Sequence, residues 1–181
     1  MANFPARPSL AFLASHNGSA MRAIVEAGRK GQFRTDPVLV ISNNGDSAAL
    51  AWAKQNKIQT SHISAKTAGS DAEADATIAA TLSMAGADLV ILAGYMRKLG
   101  PETLRVFRNR VLNVHPALLP KFGGPGMYGR KVHEAVLASG DTESGVTIHL
   151  VDEVYDHGKI VAQDKVRNAS RRANKRSTSK P

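Results

Sequence analysis

Four apolar runs constrain this chain more than anything else in it. They are SLAFLAS at Ser9–Ser15, VLVIS at Val38–Ser42, DLVILA at Asp88–Ala93 and the short VLNV stretch from Val111 to Val114. They are near-continuously apolar, whereas a strand with one wet face alternates. They therefore predict strands covered on both faces, the signature of a parallel sheet. Between them lie segments with helical spacing: SAMRAIVEAGRKG with Met21, Ile24 and Val25, then SAALAWAKQNK, then a long stretch from about Asp71 to Met84. Asp46 stands where the second of these needs a cap. Thr60–Ser64 reads as a weaker third strand and Pro101–Phe107 as a short helix with Pro101 in its first turn. Lys131–Ser139 reads as a helix, and Gly145–Val151 and Lys159–Val166 as the last strands. The expected fold class is α/β, a Rossmann-like, mostly parallel sheet with helices on both faces. Ligands in such sheets bind beyond the carboxyl ends of the strands, where Asn17–Gly18, Gly94–Met96 and Asn113–His115 fall.

Composition narrows the function. There is no cysteine, which removes disulfides, thiolate zinc sites and cysteine nucleophiles. No apolar stretch approaches the roughly 18 residues of a membrane span, and MANFPARPSL does not read as a signal peptide, so a cytoplasmic enzyme is expected. The formal net charge of +9 invites a nucleic-acid reading. However, Asp164–Pro181 holds seven basic residues and one acid, and subtracting that +6 leaves +3 for residues 1–163. From Arg167 onward the only apolar side chains are two alanines, too few to offset the entropy of ordering. The expected organisation is one domain over 1–166 and a basic, disordered tail over 167–181. A tail without aromatic residues has nothing to stack bases on, so no specific nucleic-acid partner is expected.

Three stretches carry candidate chemistry. SHNGSAM, Ser15–Met21, joins the first strand to the first helix, where unpaired N–H groups and a positive dipole end suit a phosphate. The same stretch could equally be a tight turn with Ser19 as helix cap. It is neither G-x-G-x-x-G nor a P-loop, and the second strand ends in Ser42–Asn43–Asn44 without an acid for a ribose, so dinucleotide binding is not expected. AGYMRKL, Ala93–Leu99, could lay a flat aromatic cofactor against Met96 and Leu99 with Arg97 near an acidic group, or could simply pack on the core. Asn113 and His115, two apart on a strand, face the same way and are then cut off by Pro116. A buried polar pair needs partners, and a catalytic histidine needs a neighbour to hold its ring. Asp152, Glu153 and Asp156 in VDEVYDHG are the available carboxylates. His149 reads as a core residue and His157 as a solvated one. No histidine spacing suggests a metal.

Taken together, SHNGSAM, AGYMRKLGP, NVHPALLPKF and GVTIHLVDEVYDHGKIVAQ resemble the phosphoribosylglycinamide formyltransferases of purine synthesis, over about Ser9–Gln163. GGPGMYGRKVHEAVLASG resembles the version found in some of these enzymes more than that of the methionyl-tRNA and folate-hydrolysing relatives. The resemblance implies a formyltransferase fold and transfer of formyl from 10-formyltetrahydrofolate, as cosubstrate, to the amine of glycinamide ribonucleotide, without a metal. It implies that Asn113, His115 and Asp156 are catalytic and that Asn17, Gly18, Ser19 and Ala20 bind the substrate phosphate. It further implies that Met96, Arg97, Leu99, Val151 and Glu153 line the folate pocket. On this reading the Asn113 amide and a protonated His115 stabilise the oxyanion, with Asp156 favouring the protonated ring.

Three departures from the family pattern stand out. Ala20 replaces an asparagine, and Lys159 replaces a proline. After Val166 the chain reads RNASRRANKRSTSKP, where the family continues through a strand into a long helix. The expectation is a family member with a truncated or replaced end. The alternative to an active enzyme is an impaired relative that keeps the fold and binds only folate or phosphate ligands. The sequence does not give the oligomeric state.

Overall fold

The computed structural model describes residues 5–167. Among these residues seven strands form one sheet in the order β3-β2-β1-β4-β5-β6-β7. β1 (Ser9–Leu13), β2 (Asp36–Ser42), β3 (Gln59–His62), β4 (Leu89–Leu92) and β5 (Val111–His115) run parallel. β6 (Glu143–Leu150) and β7 (Ile160–Arg167) are antiparallel to their neighbours. The chain builds outward from β1 to β3 and then returns to place β4 on the other side of β1. This reversal leaves a crevice between the β1 and β4 ends.

Period-two geometry sorts the apolar runs into two cores. Phe12, Val40 and Ile91 face α1 (Ser19–Arg29) and α2 (Ala48–Gln55), meeting Met21, Val25, Leu50 and Ala53. Leu13, Leu39, Ile41, Val90 and Leu92 face α4 (Asp71–Met84) and α5 (Pro101–Val106), meeting Ile78 and Leu82. A smaller cluster, Ala117, Phe122, Val132 and Val136, seats α6 (Arg130–Ala138) on the segment after β5. A four-residue turn of helix, α3 (Ala65–Ala68), precedes α4.

Local chemistry places most boundaries where the residues suggest. Ser70 accepts the Glu73 N–H to cap α4, and Pro101 opens α5. The cap of α2 is Ser47, which accepts the Leu50 N–H, and not Asp46. Asp46 is one residue too early for its carboxylate to reach the second or third helical N–H. Asp75 is buried, and its carboxylate accepts the N–H groups of Glu102 at 2.8 Å and Thr103 at 3.2 Å. That contact pins the start of α5, and with it the end of the segment Gly94–Gly100, to α4.

Of the expected tail over 167–181, Arg167 is the last residue of β7, paired with Glu143, and 168–181 lie outside the described residues. Among the described residues no helix is long and apolar enough to cross a membrane.

Candidate active site

A cavity of about 770 Å³ opens at the carboxyl ends of the parallel strands, a size that suits a small-molecule ligand. The loop His16–Ala20 after β1 forms one wall and Gly94–Leu99 after β4 another; the end of β5, the segment 124–129 before α6, the first half of β6 and the segment after β6 also line it.

Asn113 and His115 leave β5 on one face. In the antiparallel ladder His149 is the direct partner of Asn113, so it shares that face. The Asn113 amide (Nδ2) donates to His149 Nε2 at 3.1 Å, and the His149 Nδ1–H donates to the Leu150 carbonyl at 2.8 Å. Asp156 completes the cluster. Its Oδ1 lies 3.4 Å from the Asn113 amide, 3.4 Å from His149 Nε2 and 3.6 Å from His115 Nδ1. Its Oδ2 accepts the Gly124 N–H at 2.9 Å. A ring nitrogen facing a carbonyl must carry a proton, so His115 Nε2–H donates to the Phe122 carbonyl at 2.7 Å. Both imidazoles are almost fully enclosed, with 3% of each side chain exposed.

Asp156 arrives by an unexpected path. The sequence suggested that VDEVYDHG leaves a strand end on the ligand side. In fact β6 runs against β5, and Val151 donates its N–H to Val111, at the start of β5. The loop then folds back toward the site. Leu150 N–H donates to the Lys159 carbonyl, closing the loop at its base. Gly158 sits against the Leu150 carbonyl, where a Cβ would lie only 1.8 Å from the oxygen. Asp156 itself has φ 54°, a left-handed conformation that aspartate tolerates better than most residues.

Electrostatics divides the two histidines. Burial pushes the His115 pKa down and outweighs the upward pull of the Asp156 charge and the Phe122 carbonyl, so the net shift is downward. The expected influence of Asp156 is present, but it does not leave His115 as the more basic ring. Burial also opposes the charge on His149, yet bonds to Asp156 and Leu150, with the charges of Asp156 and Asp152, raise its pKa overall. Burial of Asp156 is outweighed by its bonds from His149 and Gly124 and by the charges of both histidines, so its pKa is lowered. The favoured state is an ionised Asp156 beside a His149 that holds its proton more tightly than an ordinary imidazole. Burial raises Tyr95 to about 12, so its phenol is a neutral donor and not a base.

The other expected site residues divide as follows. Asn17, Gly18, Ser19 and Ala20 all border the cavity. Gly18, with φ 60°, is the residue before the first turn of α1, and Ser19 is its first helical residue; Ser19 is not the cap. Met96, Arg97, Leu99 and Val151 border the cavity, whereas Glu153 is exposed and is not part of its lining. Asp152 turns to His157 at 3.2 Å and to the Val154 N–H, away from the cluster. His149, which its place inside an apolar strand marks as a core residue, belongs to the cluster instead. The available signal was register: once β6 pairs with β5, the residue opposite Asn113 must face the same way. Phe122 and Gly124 contribute backbone groups alone, which no side-chain pattern reveals.

Comparison with known proteins agrees with this geometry. Residues 9–178 match the formyl transferase family. The chain is 43% identical over 164 residues to the chloroplastic phosphoribosylglycinamide formyltransferase of Arabidopsis thaliana, covering 90% of this chain and 56% of that protein. It is 37% identical over 157 residues to the phosphoribosylglycinamide formyltransferase of Haemophilus influenzae, covering 87% of this chain and 72% of the relative. The chain spans about half the length of the chloroplastic relatives it matches, 56% and 50%. The crystal structure of glycinamide ribonucleotide transformylase 1 from Symbiobacterium toebii superimposes with a TM-score of 0.82 at 33% identity, covering 89% of this chain and 74% of that one. The switch-point cavity, the buried amide–imidazole–carboxylate cluster and these matches converge: the chain belongs to the formyl transferase family, among the phosphoribosylglycinamide formyltransferases.

Proposed function

We propose that this chain transfers the formyl group of 10-formyltetrahydrofolate to the amine of glycinamide ribonucleotide, in the cytoplasm. The observation that carries the reading is the meeting of Asn113, His115, His149 and Asp156 at one cavity of ligand size. Asn17–Ala20, at the start of α1, take the substrate phosphate through backbone N–H groups. Met96, Leu99 and Val151 form an apolar wall for the flat ring of the folate, and Arg97 offers a charge to its acidic end. Glu153, exposed outside the cavity lining, joins that wall only if the loop closes over the ligand.

Attack of the amine on the formyl carbon places negative charge on the formyl oxygen and requires loss of a proton from nitrogen. The Asn113 amide is one donor for that charge, and His115 becomes the second when its Nε2–H turns from the Phe122 carbonyl to the formyl oxygen. Asp156, held ionised, accepts the amine's proton directly or through one water; as the tetrahedral intermediate collapses, the bond from the formyl carbon to the folate nitrogen breaks and that proton passes to the leaving nitrogen, which releases tetrahydrofolate. His149 does not contact substrate in this scheme. When protonated it donates to Asp156 and no longer accepts from Asn113, which frees the amide for the formyl oxygen. Neither a metal nor a covalent enzyme intermediate enters this chemistry.

The test is formyl transfer by the purified chain with both substrates. Transfer that depends on glycinamide ribonucleotide supports the reading. Binding of the folate without transfer would identify a ligand-binding relative, and binding of neither would overturn the proposal.

A further inference from the structure

Ser15 is the last residue before the loop 16–20, and it is 2% exposed. It does not border the cavity. Its hydroxyl nevertheless joins the loops that do. The oxygen accepts the Met96 N–H at 2.7 Å, and the hydroxyl donates to the Asn43 side-chain oxygen at 2.6 Å. These directions are obligatory: an amide N–H can only donate, so the single hydroxyl proton goes to Asn43. The Ser15 N–H donates to the Gly94 carbonyl at 3.0 Å. Asn43 follows β2, Met96 follows β4, and both strands flank β1. One buried hydroxyl therefore ties together the carboxyl ends of three adjacent strands. On its far side the loop 16–20 is anchored as well, because the His16 carbonyl accepts the Ala49 N–H of α2 at 2.9 Å.

A buried serine that merely satisfies its neighbours would contribute to stability and nothing else. Ser15 differs because it is bonded to the backbone of one proposed ligand wall, at Met96 and Gly94, and itself immediately precedes the other, which begins at His16. Displacing Met96 by even a fraction of an ångström must move the hydroxyl or break its bond. The strand is packed on both faces, so movement is transmitted into His16–Ser19.

Resting on the reading of 16–20 as the phosphate site and 94–99 as the folate wall, we infer that Ser15 is a positioning residue that couples the two ligand subsites, so that filling one orders the other. The coupling is reciprocal by linkage.

Two measurements test this. In the ligand-free protein, Ser15→Ala should raise amide hydrogen exchange about tenfold or more in both 94–99 and 16–20, with the central strands β1 and β4 unchanged. Unchanged exchange in either loop overturns the inference, whether or not the chain proves to be a formyltransferase. Calorimetric titration of 10-formyltetrahydrofolate, with and without saturating glycinamide ribonucleotide, should give a wild-type affinity ratio of about 5 or more, within the usual range for coupled sites. The ratio should fall toward 1 in Ser15→Ala. A ratio that survives the substitution in a folded variant, or a wild-type ratio of 1, also overturns it. Asn43→Ala, which removes one arm and leaves the hydroxyl in place, should show the same effects at smaller amplitude and serves if Ser15→Ala does not fold.

Discussion

Phe12 and Leu13 are adjacent in β1, point to opposite faces of the sheet and are both fully buried; in β7 all eight residues from Ile160 to Arg167 are exposed. The two ends of the sheet use the same backbone ladder for different purposes. The parallel half is covered on both faces, and its strands act as fixed posts that deliver Gly18, Met96 and Asn113 at their carboxyl ends. The antiparallel ribbon β6–β7 buries little apolar surface, yet it supplies His149 through register with β5 and Asp156 through a closed, back-folded loop. Stability resides mainly in the first half, and the titratable chemistry is assembled at its seam with the second.

The sharpest break of that comparison is at the seam. His115→Ala should lower turnover by roughly 10²–10⁴-fold, the scale of a positioned acid–base group. Steady-state formyl transfer by a variant with a native circular dichroism spectrum checks it, and near-wild-type turnover would remove His115 from the mechanism. In the parallel half, Phe12→Ala should cost about 3–5 kcal/mol of folding free energy, the usual penalty for emptying a fully buried aromatic site. Urea denaturation measures this directly, and a cost below about 1 kcal/mol would contradict the assignment of the core.

The electrostatic prediction concerns the sign of a shift. In Asp156→Asn the main upward influence on His149 is lost while burial remains, so its pKa should fall; His115 should fall further below its ordinary range. Proton NMR titration of both rings checks this, and an unmoved His149 would mean that Asp156 is not its partner. Linkage fixes the pH window. The raised His149 contributes stability fully below its unfolded pKa of about 6.5 and loses it as pH rises through the folded value. The lowered Asp156 contributes above about 3.9 and loses its share as pH falls through its folded value. Their joint contribution is therefore greatest between about pH 4 and 6.5. The smallest effect should come from the ribbon: Val161→Ser, on an exposed position of β7, should change stability by no more than about 0.5 kcal/mol. A loss of several kcal/mol there would show that the ribbon is covered in solution.

Much of this architecture could be read residue by residue. DLVILA is a buried strand on composition alone, because apolar residues on both faces leave no wet side. Helical spacing from about Asp71, and Pro101 in the first turn of a helical run, mark helix starts, while the Ser70 cap became visible in the structure. Asn113 and His115 could be placed on one face because the strand period is two. The direction of β6 could not be read in the same way. A strand of half-buried residues is compatible with either orientation, and only its pairing with β5 brought His149 across from Asn113. The cap of α2 was misplaced by one residue, from Asp46 to Ser47, since both side chains can cap and only the backbone path chooses between them.

Period, composition and bonds within a few residues suffice to mark every strand and every helix except the short α3, the two-sided burial of the parallel strands and the groups able to do chemistry. Tertiary structure alone decided which of those groups meet and in what charge state. His149 entered the cluster through register, Asp156 through a loop closed between Leu150 and Lys159, and the backbone of Phe122 and Gly124 through the packing of the segment after β5. Burial, which pulls His115 down while His149 rises, exists only once the sheet and that loop enclose both rings, since the cost of charge depends on the surroundings that the fold supplies.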